Sequence, residues 1–223
     1  MKNKMFIPRI TVTETFSSIQ GESTYAGCLC FFIRLAGCNL NCNYCDTLYS
    51  RKTSHGKSTD IPLLVEAALK ENINLVEITG GEPLFQKTTP LLCAELLRNN
   101  FTVLVETNGS LPISLLPENV IKIMDCKTPS SGEASKMDFS NFDLLNPIDE
   151  IKFVIADRTD YNYSLDIIEK YKLNEKTPNI LFGPAWGKIE SAELAGWIIK
   201  DKAPVRLQLQ LHKYIWGPEK RGV

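Results

Sequence analysis

The sequence carries no surplus of charge of either sign. Its 25 Lys and Arg stand against 26 Asp and Glu, a formal net charge of −1. Proteins built to hold phosphate backbones usually have a basic excess, so direct nucleic-acid binding is not expected. Long hydrophobic runs are missing as well. The longest nearly apolar stretch goes from Tyr25 to Ile33 before Arg34 interrupts it, well short of the ~20 residues a spanning helix needs. The start holds Lys2, Lys4 and Arg9 without an apolar core of roughly 7–15 residues, so no signal peptide is expected. There is no repeat, low-complexity tract or long linker. Seven cysteines make an odd number, which does not suit a secreted disulfide framework. The chain reads as cytoplasmic with its thiols reduced, and the question becomes which cysteines bind something.

What is present is an alternation of strand-length and helix-length patterns. Apolar runs recur at Cys28–Leu35, Leu75–Thr79, Phe101–Glu106, Val120–Met124, Glu150–Ala156, Asn179–Phe182 and Val205–Leu211. Helical spacing fills Ile61–Lys70, Thr89–Arg98, Tyr161–Tyr171 and Ser191–Lys200, the last with Ser191 as a candidate cap. This order predicts βα units and a mostly parallel sheet, open or closed into part of a barrel. In such folds ligands sit on the loops that follow the strands. The informative residues fall there: Gly37-Cys38, Gly80-Gly81-Glu82-Pro83, Thr107-Asn108-Gly109 and Asp125-Cys126-Lys127 each follow a strand pattern.

The strongest signal is Cys38-x3-Cys42-x2-Cys45. Structural zinc takes four ligands, and ordinary electron-transfer clusters take four cysteines. Three thiols leave one coordination position open, as a catalytic centre requires. A zinc reading would draw its fourth ligand from Cys28, Cys30 or His55. Cys28 and Cys30 lie two apart on one predicted strand, so they share a face and read as small buried hydrophobes. Cys93 sits in a helical apolar pattern and reads as core.

Cys38-x3-Cys42-x2-Cys45 followed by Gly80-Gly81-Glu82-Pro83 resembles the radical S-adenosylmethionine (SAM) superfamily. The resemblance implies an α/β fold, a partial, abbreviated (β/α) barrel of about six mostly parallel strands forming one domain over residues 1–223. It also implies a [4Fe–4S] cluster on the three cysteines, with SAM on the fourth iron and a 5′-deoxyadenosyl radical as the reactive species. Such chemistry belongs to the cofactor rather than the protein. Gly-rich carbonyls and Glu82 are expected to accept from the cofactor's ammonium group.

A narrower resemblance spans nearly the whole chain. Glu14–Ser23, Phe32-Ile33-Arg34-Leu35, Cys45-Asp46-Thr47, Glu106–Ser110, Asp125–Gly132 and Gln210–Trp216 are similar to the 7-carboxy-7-deazaguanine synthase family of queuosine biosynthesis. That family rearranges 6-carboxy-5,6,7,8-tetrahydropterin with loss of ammonia, as a homodimer that uses Mg²⁺ and a reductant such as flavodoxin or ferredoxin. The resemblance implies cluster ligation by Cys38, Cys42 and Cys45, and Mg²⁺ ligation by Thr47. SAM contacts are implied for Tyr44, Cys45, Asp46, Gly81, Glu82, Glu106, Asn108, Asp125, Cys126, Lys127, Thr128 and Ser130. Substrate contacts are implied for Ile19, Gln20, Gly21, Glu22, Arg34 and Thr79, with Val223 offering a terminal carboxylate.

Plainer readings stand beside these. Arg34 reads equally as an ordinary ion pair, Glu106 as a partner for any lysine, and His212 and Lys213 as structural residues of a terminal strand. Tyr214 and Trp216 alternate as core residues of that strand would. Another radical SAM enzyme, such as a glycyl-radical activase, gives no account of Gln20–Glu22 or Thr47; a structural zinc protein, with Gly80–Pro83 a simple turn, is the remaining alternative.

Overall fold

A computed structural model describes residues 7–223; residues 1–6 of the expected domain lie outside the described part. Nine strands form one sheet: β1 (Arg9–Ile19), β2 (Leu29–Leu35), β3 (Lys57–Asp60), β4 (Leu75–Gly80), β5 (Thr102–Thr107), β6 (Ile121–Asp125), β7 (Glu150–Ile155), β8 (Ile180–Pro184) and β9 (Arg206–Leu207). Their order across the sheet is β3-β1-β2-β4-β5-β6-β7-β8-β9. From β2 through β4 to β9 every pair is parallel. The edge strands β1 and β3 run antiparallel. The expected six mostly parallel strands are therefore present, extended by an antiparallel edge that the sequence reading did not assign.

Helices α1 (Ile61–Glu71), α2 (Thr89–Arg98), α3 (Arg158–Lys170), α4 (Leu173–Lys176), α5 (Ser191–Asp201) and α6 (Leu211–Trp216) complete the chain. α1 buries Ile61, Leu64, Val65 and Ala68, and α2 buries Thr89, Leu92, Cys93 and Leu96. Both sets repeat at i, i+3, i+4 and i+7, the stripe a helix needs to face a sheet. α1 ends where Asn72 turns left-handed at φ 56°. The β5–β6 and β6–β7 crossovers carry only short 3₁₀ turns, so the barrel is abbreviated on that side. Among the described residues no helix is long and apolar enough to cross a membrane.

Side-chain alternation along the strands divides the interior. Phe31, Ile33, Val76, Ile78, Val103, Val105, Ile151, Phe153 and Phe182 join Leu64, Leu92 and Ile167 in the core between sheet and helices. The opposite face starts apolar, with Cys30, Phe32, Leu75, Leu104, Ile121 and Ile123 packed under Phe16 and Tyr25. Farther along the same strands it turns polar, with Arg34, Glu77, Thr79, Glu106, Asp125 and Lys152 lining a cavity. The cavity thus sits at the carboxyl ends of the parallel strands.

Three local expectations are corrected. The run Val205–Leu211 keeps only Arg206–Leu207 as strand, and Leu211–Trp216 is helical. The chain is drawn off the sheet because the Leu211 amide donates to the Gly21 carbonyl at 2.9 Å and Gln210 Nε2 to Glu22 Oε1 at 2.8 Å. Tyr214 and Trp216 are consequently exposed rather than core. Ser191 is the first residue of α5 and not its cap; its hydroxyl meets Tyr214 Oη at 2.7 Å. Cys28 lies before β2 and is exposed, so it shares no face with the buried Cys30; Cys93 and Cys126 are buried.

On the helix-facing side of β6 one buried ion pair interrupts the apolar core. Asp149 is fully buried and accepts from Lys122 Nζ at 3.2 Å, from the Lys122 amide at 2.8 Å and from the Asn146 amide at 2.8 Å. Asp149→Ala leaves an uncompensated ammonium and two orphaned amides, so it is expected to cost about 3–5 kcal/mol. Urea denaturation checks this; a loss below about 1 kcal/mol means that water reaches Lys122.

Candidate active site

The β2–β3 connection carries the three cysteines, and glycine lets it lie against the β4–α2 loop. A side chain at Gly81 would collide with the Gly37 carbonyl and the Cys38 Cβ. Gly80, at φ +137°, passes against the Leu35 backbone in the same way. With no side chain between them, the Gly81 amide donates to the Leu35 carbonyl at 3.1 Å and the Glu82 amide to the Gly37 carbonyl at 2.8 Å. Close backbone approach is what requires glycine here.

Glu82 anchors the third loop. It is fully buried; Oε1 accepts from the Leu84 amide at 2.9 Å and Thr107 Oγ1 at 2.8 Å, and Oε2 from the Asn108 amide at 2.6 Å. The expected acceptor for the cofactor therefore lies beneath the cavity, with its carboxylate engaged by its own chain. Burial pushes Glu82 up to about 7, against the pull of those donors. Asn108 passes the link on, its Nδ2 donating to Asn39 Oδ1 at 3.1 Å inside the cysteine loop.

The segment after β6 clamps that loop from behind. The Asn43 amide donates to the Ser131 carbonyl at 2.9 Å, Asn43 Nδ2 to the Ser130 carbonyl at 3.1 Å, and Tyr44 Oη lies 3.1 Å from Thr128 Oγ1. Thr128 and Ser130 hold the loop while Cys126 is buried in the core; none of the three lines the cavity, whereas Asp125 and Lys127 do. The cavity measures about 550 Å³ and also takes in Cys38, Cys42, Tyr44, Cys45, Asp46, Thr47, Gly81, Glu106 and Asn108, within the ~300–1,000 Å³ of small-molecule sites.

The same cavity is also lined by Ile19, Gln20, Gly21, Glu22, Arg34, Thr79 and Val223. Gln20 is nearly spent on its own chain: Nε2 donates to Glu77 Oε2, and Oε1 accepts from the Glu22 amide at 2.9 Å. Arg34 is an ion pair after all, with Nε 2.8 Å from Glu14 Oε1, and its guanidinium lies 5.7 Å from the Phe16 ring centroid. Several lining residues were not singled out from sequence, namely Glu77, Lys152, Trp186 and Lys188. Glu77 in Leu75–Thr79 and Lys152 in Glu150–Ala156 did carry a signal, a charge inside a buried strand. His212 and Lys213, read as structural, also line the cavity, and Lys213 Nζ lies 2.7 Å from Asp46 Oδ2. Burial lowers the His212 imidazole below its ordinary value, which favours the neutral ring.

Residues 32–184 match the Radical SAM superfamily. The chain is 40% identical over 225 residues to a 7-carboxy-7-deazaguanine synthase of Koribacter versatilis, covering 95% of this chain and 99% of that protein. It is 42% identical over 217 residues to one of Chlorobaculum tepidum, covering 96% and 97%. The chain belongs to the 7-carboxy-7-deazaguanine synthase family of radical SAM enzymes. The crystal structure of QueE from Escherichia coli shares the fold, with a TM-score of 0.76 and 22% identity over 92% of this chain and 95% of that one. Membership carries a [4Fe–4S] cluster, SAM, a small-molecule substrate and a need for a reductant.

The residues present fit those groups. Cys38, Cys42 and Cys45 are free and open on one cavity. Among the described residues no three His, Cys, Asp or Glu side chains converge on a single-ion site. A lone zinc would gather its sulfurs to about 3.8 Å of one another, whereas a cluster gives each thiolate its own iron and a wider spacing. The Leu40 amide donates to Cys38 Sγ at 3.4 Å, the kind of contact that tunes such clusters. Burial pushes the Cys42 thiol up to about 11, so the metal must drive its deprotonation. For SAM, Asp125 Oδ1 is a buried acceptor without a partner on the cavity wall.

Cys42→Ala is expected to abolish turnover and most iron binding while the fold survives; full activity with four irons refutes the ligand assignment. Cys93→Ala, away from the cavity, is expected to cost only about 1 kcal/mol. A second expectation concerns Glu82. Its value is raised from 4.5 unfolded to about 7 folded, so its stabilisation is complete at low pH and is lost as pH rises through about 7. Glu82→Gln turns an NH₂ toward the Asn108 amide and is expected to cost roughly 1–3 kcal/mol. The gap between the two iron-free proteins, read from urea midpoints, should narrow from pH 5.5 to pH 8. A gap that widens reverses the sign of the linkage.

Proposed function

We propose that this chain is itself a 7-carboxy-7-deazaguanine synthase, converting 6-carboxy-5,6,7,8-tetrahydropterin to 7-carboxy-7-deazaguanine with loss of ammonia in queuosine biosynthesis. The observation that carries the reading is one cavity lined both by three free thiols and by the carboxylates of Glu22, Glu77, Glu106 and Asp125. When bound, the cluster and SAM supply a one-electron cleavage that yields a hydrogen-abstracting radical. Cys38, Cys42 and Cys45 would hold the cluster. Tyr44, Asp46, Gly81, Asn108, Asp125 and Lys127, which line the cavity, would contact SAM, while Glu82, Thr128 and Ser130 act through the loops they brace.

Glu22 and Glu106 offer carboxylate oxygens to the N–H edge of a pterin, and Arg34 offers a planar cation to its carboxylate. Thr79 Oγ1 donates to Glu106 Oε2 at 3.1 Å and sets that carboxylate's orientation. Gln20 and Gly21 shape the loop that carries Glu22, and Ile19 closes the apolar side. Val223 lies at the mouth, where Arg221 stacks 4.1 Å from the Tyr49 ring centroid. We assign Mg²⁺ to Thr47, a neutral ligand that leaves the remaining positions to water and the substrate carboxylate.

We read residues 1–223 as one catalytic domain, in keeping with the single sheet. Flavodoxin or ferredoxin suits the need for low-potential electrons. A homodimer accords with the apolar side chains of Tyr214, Ile215 and Trp216 left exposed on α6. A cytoplasmic location suits seven unpaired thiols.

An anaerobic assay with substrate, SAM and reductant tests the reading. Substrate deuterated at the abstracted position should pass deuterium into recovered SAM, with many products formed per SAM supplied. One 5′-deoxyadenosine per product would instead make SAM a co-substrate and favour an activase. Mg²⁺ should raise the rate, and Thr47→Ala should blunt that response without loss of iron. An unchanged Mg²⁺ response removes Thr47 from the metal site.

A further inference from the structure

Lys152 stands on the cavity face of β7 with its side chain only 7% exposed, whereas those of Glu22 and Glu106 are 20% and 26% exposed. Its Nζ lies 2.7 Å from Glu22 Oε2, is hydrogen-bonded to Glu106 Oε1, and lies 4.0 Å from Asp125 Oδ2. The ammonium is therefore set behind two carboxylates that face the cavity. Each carboxylate has its second oxygen held as well, Glu22 Oε1 by Gln210 Nε2 at 2.8 Å and Glu106 Oε2 by Thr79 Oγ1 at 3.1 Å. A carboxylate oxygen has two lone-pair directions, so both groups keep acceptor capacity toward a ligand.

We propose that Lys152 is a positioning residue for the substrate: by pairing with Glu22 and Glu106 it fixes two carboxylates on the cavity wall as acceptors for the N–H edge of the bound pterin. The inference rests on the functional reading above. It adds a residue that neighbours Asp125 of the cofactor loop at 4.0 Å and acts on the substrate through its two closer partners.

The charges around it explain why a cation is needed at that point. Glu22, Glu106 and Glu77 come together from the β1–β2 loop, β5 and β4, with Asp125 of β6 and Glu150 of β7 nearby. Lys127 is committed to Asp125 at 2.7 Å, and Arg34 to Glu14 at 2.8 Å. Lys213 of α6 is taken by Asp46, and burial keeps His212 of α6 toward its neutral form. Lys152 is thus the counter-ion of the group. Burial alone would lower it, but Glu106 and Glu22 outweigh that and hold it well above its ordinary range. Burial would likewise raise Glu106, and Lys152 outweighs it downward. Glu77, buried and beside the other two carboxylates, is pushed up from its ordinary value. Without Lys152, burial would push Glu106 up instead and turn it from acceptor toward donor.

The test compares reconstituted wild-type enzyme with Lys152→Met in anaerobic steady-state assays from pH 6.5 to 8.5, with iron content and SAM cleavage without substrate measured alongside. For Lys152→Met, the KM for the carboxytetrahydropterin should rise about 100-fold near pH 7, in line with breaking a buried pair. That KM should fall as pH rises and Glu106 ionises, while the wild-type KM stays flat. Iron content and substrate-free SAM cleavage should be unchanged. An unchanged KM, or a raised KM with no pH dependence, overturns the proposal and leaves Lys152 a structural ion pair. Absence of pterin turnover by the wild type overturns the functional reading together with this inference. If Lys152→Met does not bind iron, Lys152→Arg carries the test. Retained cationic charge should give a flat profile with KM within about tenfold of wild type, and a pH-dependent KM in that variant overturns the proposal.

Discussion

The site is held together by a carboxylate that never faces it. Glu82 accepts three hydrogen bonds from the loops after β4 and β5 while fully buried, and its own amide reaches the loop after β2. Three strand-end loops are thereby joined through one side chain and the two glycines before it. The energetic logic is that of any buried polar group: satisfied, it rigidifies; left short of a donor, it costs about 1–3 kcal/mol. The cysteine loop has little regular structure of its own and takes its shape from these contacts and from Ser130 and Ser131 behind it.

The strands supply a second layer of order. On the cavity face the side chains pass from Leu75 through Glu77 to Thr79 on β4, and from Leu104 to Glu106 on β5. An apolar plug at the closed end gives way to charge at the open end within two residues. Phe16 stacks on Phe32 at a ring separation of 5.0 Å and seals the antiparallel edge. The carboxylates of Glu22, Glu77 and Glu106 are tolerable at this depth because Lys152 stands among them and Gln20 and Thr79 donate to two of them.

The C-terminal segment links the two walls of the cavity. Leu211 and Gln210 hold the loop that carries Gly21 and Glu22, and Lys213 holds Asp46 beside the last cysteine. A Cβ at Gly21 would press on the His212 ring, so the close fit of α6 depends on that glycine. One side of the cavity is in this way built from the segments that follow β1 and β9.

Much of this was legible in the chain. The spacing of Cys38, Cys42 and Cys45, the glycines before Glu82 and the periods of α1 and α2 act locally, and each predicted its element within a residue or two. Motif and alternation also placed the chemistry at strand ends. Other features depend on partners remote in sequence. Val205–Leu211 alternates like a strand, yet leaves the sheet after Leu207 because Gly21 and Glu22 offer the Leu211 amide and Gln210 partners off it. Glu82 has the chemistry of a cofactor acceptor, yet Thr107 and Asn108 claim it. Lys122 and Lys152 occupy equivalent-looking places in apolar strands; Lys122 faces the helices and Asp149, Lys152 the cavity and two carboxylates. The sequence by itself determined the strand and helix periods, the thiol triad and the family. Only the tertiary structure decided which charges share the cavity, because a strand's inward face is defined by what packs against it.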